Sequence, residues 1–338
     1  MNVLIIGGTG LISNAITRQL LARGDTVAHF NRGQREKLFS GQVRQIHGDR
    51  YNAADFVPRI HAAGPFDAII DMITYKEPEA RSLIDAARGR TPHVIFCSTV
   101  DVYAKPYHYY PIVESHPLGG LNDYARNKVH CETALRAAEA HGDFALTIIR
   151  PAQTYGEAAG LVNSFGWGNF MFARIKAGLP LIVHGDGTSL WAPCSNDDVA
   201  RAFVGAAANP VSFGKSYHAT GEEWMTFDQY YERMARGLGC RCPELVHIPS
   251  ELLARTFPQH CGSDLDNFQF SNIFDNAAAR RDLGFAYTLR FADGIRRMHA
   301  ALQARNALEP ADKIPAYDQA IAAWRETAEA YRARFATT

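Results

Sequence analysis

An α/β architecture, a parallel β-sheet with helices wound over both faces, is predicted by three observations. Short apolar, β-branched runs recur through the first half of the chain, and stretches of helical period separate them. The first run leads straight into Gly7-Gly-Thr-Gly10, where a strand would hand over to a helix. Runs that read as buried on both faces and alternate with helices form parallel sheets. Right-handed crossovers then make the sheet Rossmann-type and doubly wound.

Taken in order, the expected strands are Asn2–Ile6, Thr26–Phe30, Val43–His47, Ala68–Met72, His93–Cys97 and Ala145–Ile149, with helical stretches such as Leu11–Arg23 and Pro78–Arg88 between them. After Arg150 the pattern turns irregular, with Gly160–Gly168 rich in Gly, Asn and aromatics. Helices are expected at Asn169–Ala177 and Asp197–Ala208, a strand and turn at Leu181–Gly187, and a returning strand at Lys215–Thr220. Further helices are expected at Trp224–Leu238, Pro249–Thr256, Asn276–Leu283 and Ala292–Ala304, and the Ala/Arg/Glu-rich tail Ala316–Phe335 reads as one amphipathic helix. The layout is a nucleotide-binding domain over residues 1–155, joined by segments returning near 188–220, and a smaller interleaved α/β substrate domain over 156–338.

Bulk properties exclude several classes. The chain has 338 residues, and its 35 basic and 35 acidic side chains cancel, so charge offers no capture of nucleic acid or anionic membrane. No apolar run reaches the roughly 20 residues of a membrane span, and Val3–Ile6 is too short for a leader. Six scattered cysteines, with Cys240-Arg-Cys242 lacking a second ligand pair, read as reduced thiols of a cytoplasmic protein. His108, His184 and His260 have no metal-ligand spacing with another ligand, so no metal is expected.

The opening glycines supply a cofactor site. Gly7, Gly10 and position 13 follow a G-x-x-G-x-x-G spacing in which Ser13 replaces the last glycine. Glycines allow a tight turn and close approach of pyrophosphate to a helix N-terminus. Gly7, Thr9, Gly10, Leu11 and Ile12 are expected against the dinucleotide. The second strand ends Phe30-Asn31-Arg32-Gly33 without the acid that grips ribose hydroxyls in NAD sites. Arg32 can pair with a 2′-phosphate, which favours NADP over NAD, although an arginine can also stack on adenine. Asp49 is placed either to accept from the adenine amino group or to serve as a loop or helix cap.

Tyr124 and Lys128 lie four residues apart on an expected helix, one turn apart on one face. An ammonium beside a phenol favours phenolate and lowers a pKa otherwise near 10. Behind a dinucleotide fingerprint, that pair points to chemistry on a hydroxyl or ketone.

Together with Ser98-Thr99-Val-Asp101-Val-Tyr103, these features resemble the extended short-chain dehydrogenase/reductases, the NAD(P)-dependent epimerase/dehydratase superfamily. The resemblance continues through Ile149-Arg-Pro-Ala-Gln-Thr-Tyr-Gly156, Gly185-Asp-Gly187, Asp197–Ala200 and Ala278–Gly284, which is most of the chain. It implies Thr99 as the hydrogen-bonding hydroxyl, Tyr124 as general base, and Lys128 holding the nicotinamide ribose and keeping Tyr124 acidic. Asp101 stands where dehydratases carry a second acid/base, with Val100 breaking the usual acid pair; a bond to loop backbone is its other reading. Gln153 takes a substrate position where asparagine is usual. Trp191 stands where nucleotide-sugar enzymes carry a diphosphate-binding arginine, so it stacks on substrate or fills core. Either Arg174 or Lys176 replaces that arginine, or the substrate carries no nucleotide diphosphate.

The implied function is a sugar epimerase or dehydratase working through a transient ketone, with an NADPH-dependent ketone or aldehyde reductase as the alternative. A non-catalytic RNA- or regulator-binding member of the fold is the third reading. A carbohydrate-like small molecule and a homodimeric state are expected, with no nucleic-acid or membrane partner.

Overall fold

The computed structural model describes residues 1–34, 38–157 and 161–336. The chain divides into two compact units. The first comprises Met1–Thr154, Pro193–Glu222 and Ile273–Leu289; the second comprises Tyr155–Ala192, Glu223–Asn272 and Arg290–Thr338. The return of Ile273–Leu289 to the first unit differs from the expected division, which kept everything beyond residue 220 in the second region. That segment carries the helix Ala277–Leu283, whose Ala279 and Leu283 join the apolar layer of the first unit.

The first unit is built on seven parallel strands: β1 (Asn2–Ile6), β2 (Thr26–Asn31), β3 (Arg44–His47), β4 (Ala68–Asp71), β5 (His93–Cys97), β6 (Ala145–Pro151) and β7 (Lys215–Ala219). Their order is β7-β6-β5-β4-β1-β2-β3, all in parallel pairings. The order reverses at β1, flanked by β2 and β4, and ligands of open parallel sheets bind outside the carboxyl ends at such a switch point. Apolar clusters cover both faces. Leu4, Ile6, Val94, Phe96, Leu146 and Ile148 face one cluster, and Val3, Ile5, Ile95 and Ile149 face the other. That alternation along each strand is the physical content of runs buried on both sides.

Four helices of this unit position the site: α1 (Leu11–Ala22), α2 (Ala53–Ala63), α3 (Glu77–Ala87) and α4 (Asp123–His141). Helix α2 has no counterpart in the expected elements. Pro58 lies inside it, which weakens the helical pattern, yet the Asn52 side chain caps it by accepting from Ala54 N–H at 3.1 Å, and Phe56 and Ile60 bury its face.

The second unit has its own core, in which Phe165, Phe170, Phe227, Tyr230, Tyr231, Phe291 and Tyr317 are buried. The expected irregular segment forms short antiparallel strands at Leu161–Asn163 and Gly166–Gly168; Gly160 lies outside the described residues. The expected helix Trp224–Leu238 begins at Phe227, where Thr226 caps it. The tail helix Ala316–Phe335 buries only Tyr317, Ala320 and Ile321 among the residues of its inner face.

Four buried histidines make stability acid-sensitive. Burial holds His29, His93 and His184 at about 4 and His218 at about 3, so all four are neutral in the folded chain. An unfolded histidine titrates near 6.5. Below that pH the unfolded state binds the extra protons, so stability falls as pH drops. Asp264, raised by burial to about 8, and Glu114, also raised by burial, act in the opposite sense. With His116 and His299 also lowered by burial, six groups against two leave a net loss, and thermal melts between about pH 7 and about pH 5 should show a falling melting temperature. A constant value across that window would contradict this account.

Candidate active site

The glycine loop runs from the end of β1 into α1. Gly7 takes φ +86° and donates its N–H to the Phe30 carbonyl at 3.0 Å. Ser13 replaces the expected third glycine with a fastening of its own. Its hydroxyl accepts from Gly10 N–H at 2.7 Å and donates to the Gly7 carbonyl at 2.8 Å, closing the loop on itself. Beneath it, the Thr17 hydroxyl donates to the Ser13 carbonyl at 2.8 Å and meets His29 Nε2 at 2.8 Å. A Cβ on Gly8 would lie 2.3 Å from the His29 ring, so the loop rests directly on that imidazole.

Helix α1 opens at Gly10 with no side-chain cap and no acidic residue in its first turn. Its positive end therefore carries no competing carboxylate, which fits an anionic pyrophosphate. Thr9, Leu11 and Ile12 are half-buried around this terminus. At the end of β2, the Asn31 side chain ties the turn, donating to Gln45 Oε1 at 2.9 Å and accepting from Gly33 N–H at 2.8 Å. Arg32 beside it is exposed. Asp49 is exposed too, and its carboxylate accepts from Tyr51 N–H at 3.0 Å, the turn-forming alternative of its two expected roles.

The strand β5 delivers Thr99 to its end, where the hydroxyl accepts from Asp101 N–H at 3.2 Å and caps the short 3₁₀ turn Val100–Val102. The same hydroxyl lies close enough to Tyr124 to favour its phenolate. Tyr124 stands in the first turn of α4, which starts because Asn122 Oδ1 accepts from Ala125 N–H at 2.9 Å. Its side chain is 43 % exposed. Burial of the remainder pushes the phenol above its usual value, with Cys97 and Asp101 adding to the rise, while the nearby Thr99 hydroxyl pulls the other way. The expected lowering is thus not the resting condition of this phenol.

One turn along α4, Lys128 is 2 % exposed. Its ammonium donates to the Cys97 carbonyl at 2.7 Å and the Thr74 carbonyl at 2.8 Å, and lies 4.8 Å from the ring centres of Tyr75 and Phe96. Tyr75 also packs on Tyr124, with centroids 6.4 Å apart. Burial lowers the Lys128 pKa, and Cys97 and Asp71 oppose that fall. Asp101 is ion-paired with Lys105 at 3.5 Å.

A buried network supports this end of the sheet. Ser98, next to Thr99, donates to Glu132 at 2.5 Å. Arg150 grips both oxygens of Glu132 at 3.0 and 2.6 Å and donates to Tyr103 at 2.8 Å, whose hydroxyl meets His218 Nε2 at 2.5 Å. Sequence reasoning overlooked Tyr75, Glu132 and the Arg150 pairing. Glu132 had a signal, because Tyr124, Lys128 and Glu132 follow at intervals of four on one helix.

The expected substrate residues fare differently. Gln153 is half-buried after β6, and its carbonyl accepts from Cys194 N–H at 3.0 Å. Trp191 belongs to the second unit, where it is 4 % exposed and packs on Phe227 and Phe268 with centroids 5.4 and 5.1 Å away. It takes the core-filling alternative. Arg174 is fully buried and holds Asp318 of the tail helix at 2.5 Å and the Pro180 carbonyl at 3.0 Å, so its guanidinium serves the second unit's own packing. Among the described residues no group of three or more His, Cys, Asp or Glu is arranged to hold a metal ion.

Known proteins with related sequences span different activities. The chain is 28 % identical over 254 residues to 2′-dehydrokanamycin reductase of Streptomyces kanamyceticus, covering 75 % of this chain and 71 % of that protein. It is 27 % identical over 258 residues to the chloroplast stem-loop binding protein of 41 kDa b of Arabidopsis thaliana, covering 72 % of this chain and 65 % of that protein. Among solved structures, a UDP-glucose-4-epimerase from Stenotrophomonas maltophila, with bound NAD and formylated UDP-arabinopyranose, shares the fold. Its TM-score is 0.74 at 19 % identity, over 90 % of this chain and 99 % of that one. The sequence profile of one family matches residues 3–219, more than half of the chain, and by that match the protein belongs to the NAD dependent epimerase/dehydratase family.

Proposed function

We propose that the protein is an NAD(P)-dependent oxidoreductase that works on a secondary hydroxyl or ketone of a carbohydrate, with Thr99, Tyr124 and Lys128 as its reacting set. The observation that carries this reading is the placement of Thr99 at the end of β5 and of Tyr124 one helical turn from a buried ammonium, in the unit that bears the glycine loop. Tyr124 takes the proton of the substrate hydroxyl, Thr99 holds the reacting oxygen, and Lys128 supplies positive charge that favours phenolate once the site is loaded. The nicotinamide, when bound, supplies the hydride acceptor. An epimerase or dehydratase reaction returns that hydride to the substrate, and Asp101 is the candidate second proton carrier for elimination.

Reduction of a ketone with net NADPH consumption is the second reading. The burial of Trp191 and the engagement of Arg174 by Asp318 favour it, because neither position then offers a partner for a nucleotide diphosphate. The 2′-dehydrokanamycin reductase relative points the same way. Incubating the protein with NADPH and a keto-aminoglycoside, and separately with UDP-glucose, decides between them. Stoichiometric NADPH loss with the ketone means a reductase, whereas product from UDP-glucose without net nucleotide consumption means an epimerase. A binding-only role is disfavoured by the reacting set and by the zero net charge; a gel shift with stem-loop RNA at low salt would revive it.

NADP is the proposed carrier, since Arg32 rather than an acid follows β2. Loss of one charge-assisted phosphate contact should weaken binding about tenfold. Arg32→Ala is therefore expected to raise the Kd for NADPH by about that factor and leave NADH unchanged, read by fluorescence titration. Equal losses for both nucleotides would assign Arg32 to adenine stacking instead. The six cysteines are free thiols, which supports a cytoplasmic location, and a homodimer is proposed for native mass spectrometry to test.

A further inference from the structure

Lys128 is held by a turn that is itself held by a buried ion pair. The Thr74 carbonyl that receives the ammonium lies just past β4. Asp71 closes that strand, and its Oδ1 accepts from Ile73 N–H at 2.9 Å and Thr74 N–H at 2.8 Å, bending the chain so that the Thr74 carbonyl faces α4. Arg50, two residues beyond Gly48, reaches the same turn from the other side. Its Nη2 donates to Thr74 Oγ1 at 2.6 Å and to the Glu79 carbonyl at 2.7 Å, and its Nη1 donates to Ser82 Oγ at 2.8 Å. The guanidinium lies 4.2 Å from the Phe56 ring centre.

Arg50 Nε and Asp71 Oδ2 face each other at 3.5 Å, and neither has a hydrogen-bond partner in the structure. With Arg50 2 % exposed and Asp71 fully buried, the two charges have little solvent to satisfy them. A buried ion pair is weak as a source of stability, because desolvation offsets the attraction. A fixed arrangement of charge is what such a pair supplies.

We propose that Arg50 and Asp71 are positioning residues for Lys128: they clamp the 71–74 turn so that its carbonyl holds the ammonium, and Arg50 sets how much of the Asp71 charge reaches that ammonium. The inference rests on the reading of Lys128 as a cofactor-holding member of the reacting set. Around Lys128 the other groups are accounted for. Cys97 on β5 and Cys131 and Glu132 on α4 favour the ammonium. The faces of Tyr75 and Phe96 pack against it, and Glu132 is already committed to Arg150. Asp71 is the remaining carboxylate that acts on Lys128, and Arg50 is its counter-ion.

The pair makes predictions of opposite sign. Asp71→Asn keeps an oxygen acceptor for the two turn N–H groups but removes the negative charge that favours the Lys128 ammonium. The ammonium then deprotonates at lower pH. Arg50→Met exposes Lys128 to the full Asp71 charge and moves its deprotonation to higher pH. The double variant Arg50→Met with Asp71→Asn is charge-balanced and should return near the parent. The readout is the Kd for NADPH, by nucleotide fluorescence, from about pH 7 to about pH 11. The parent should lose affinity as Lys128 deprotonates, Asp71→Asn should lose it at a pH about one unit lower, and Lys128→Met should bind weakly without a basic limb.

Thermal melts identify any variant that does not fold. Arg50→Lys covers that case, because it keeps the charge but loses the fork to Thr74, and should weaken NADPH binding with the basic limb unmoved. If Lys128→Met binds like the parent at every pH, the reading of Lys128 itself fails. If Lys128→Met is weak and flat while Asp71→Asn, Arg50→Met and Arg50→Lys all keep the parent curve, Lys128 stands and the positioning role of the pair is overturned.

Discussion

Tyr124→Phe is expected to lower kcat by about 100- to 10,000-fold, the usual contribution of a positioned general acid or base. The ring contact with Tyr75 and the first turn of α4 survive the change, because only the hydroxyl is removed. Cofactor binding should therefore stay close to that of the parent, since Lys128 keeps its carbonyl partners from β5 and the 71–74 turn. The loss should appear in single-turnover hydride transfer as well as in the steady state, which separates chemistry from product release. Turnover within tenfold of the parent would remove Tyr124 from the reacting set. Because burial raises the resting phenol, the reaction in the oxidative direction should also speed up as pH rises, until Lys128 loses its proton.

Arg150→Met should have the largest effect on stability. It strips the partner from a fully enclosed Glu132 carboxylate and leaves Ser98 as that carboxylate's remaining hydrogen-bond donor in the network. Breaking a buried pair from one side typically costs about 3–5 kcal/mol. At roughly 1.4 °C per kcal/mol for a chain of 338 residues, the melting temperature should fall by about 4–7 °C. Pairing the change with Glu132→Gln removes the stranded charge and should recover a large part of the loss, because the two sites are directly coupled. A double variant no more stable than Arg150→Met alone would show that the Tyr103 and Glu114 contacts of Arg150 carry the energy instead.

Much of this was legible in the amino-acid order because it is local. The glycine turn, the strand runs of the sheet and the spacing of Tyr124 and Lys128 all follow from period-2 and period-3.6 patterns. Helix α2 escaped because Pro58 interrupts its pattern, and only the Asn52 cap and the burial of Phe56 and Ile60 reveal it. Trp191 was ambiguous for a different reason. A tryptophan's apolar character does not say whether it faces a ligand or a core, and its packing on Phe227 and Phe268 decides that. Arg174 likewise offered a free cation on paper until Asp318, 144 residues away, took it.

The chain by itself determined the sheet class, the glycine turn and the spacing of the candidate residues Thr99, Tyr124 and Lys128. Those depend on neighbours within a turn or a strand. Only the tertiary structure decided the electrostatics around them. Lys128 meets Thr74 across 54 residues, Arg50 meets Thr74 across 24, and Arg150 meets Glu132 across 18. Such partners are brought together by crossovers between parallel strands, and no local periodicity records which charges end up sharing one buried space.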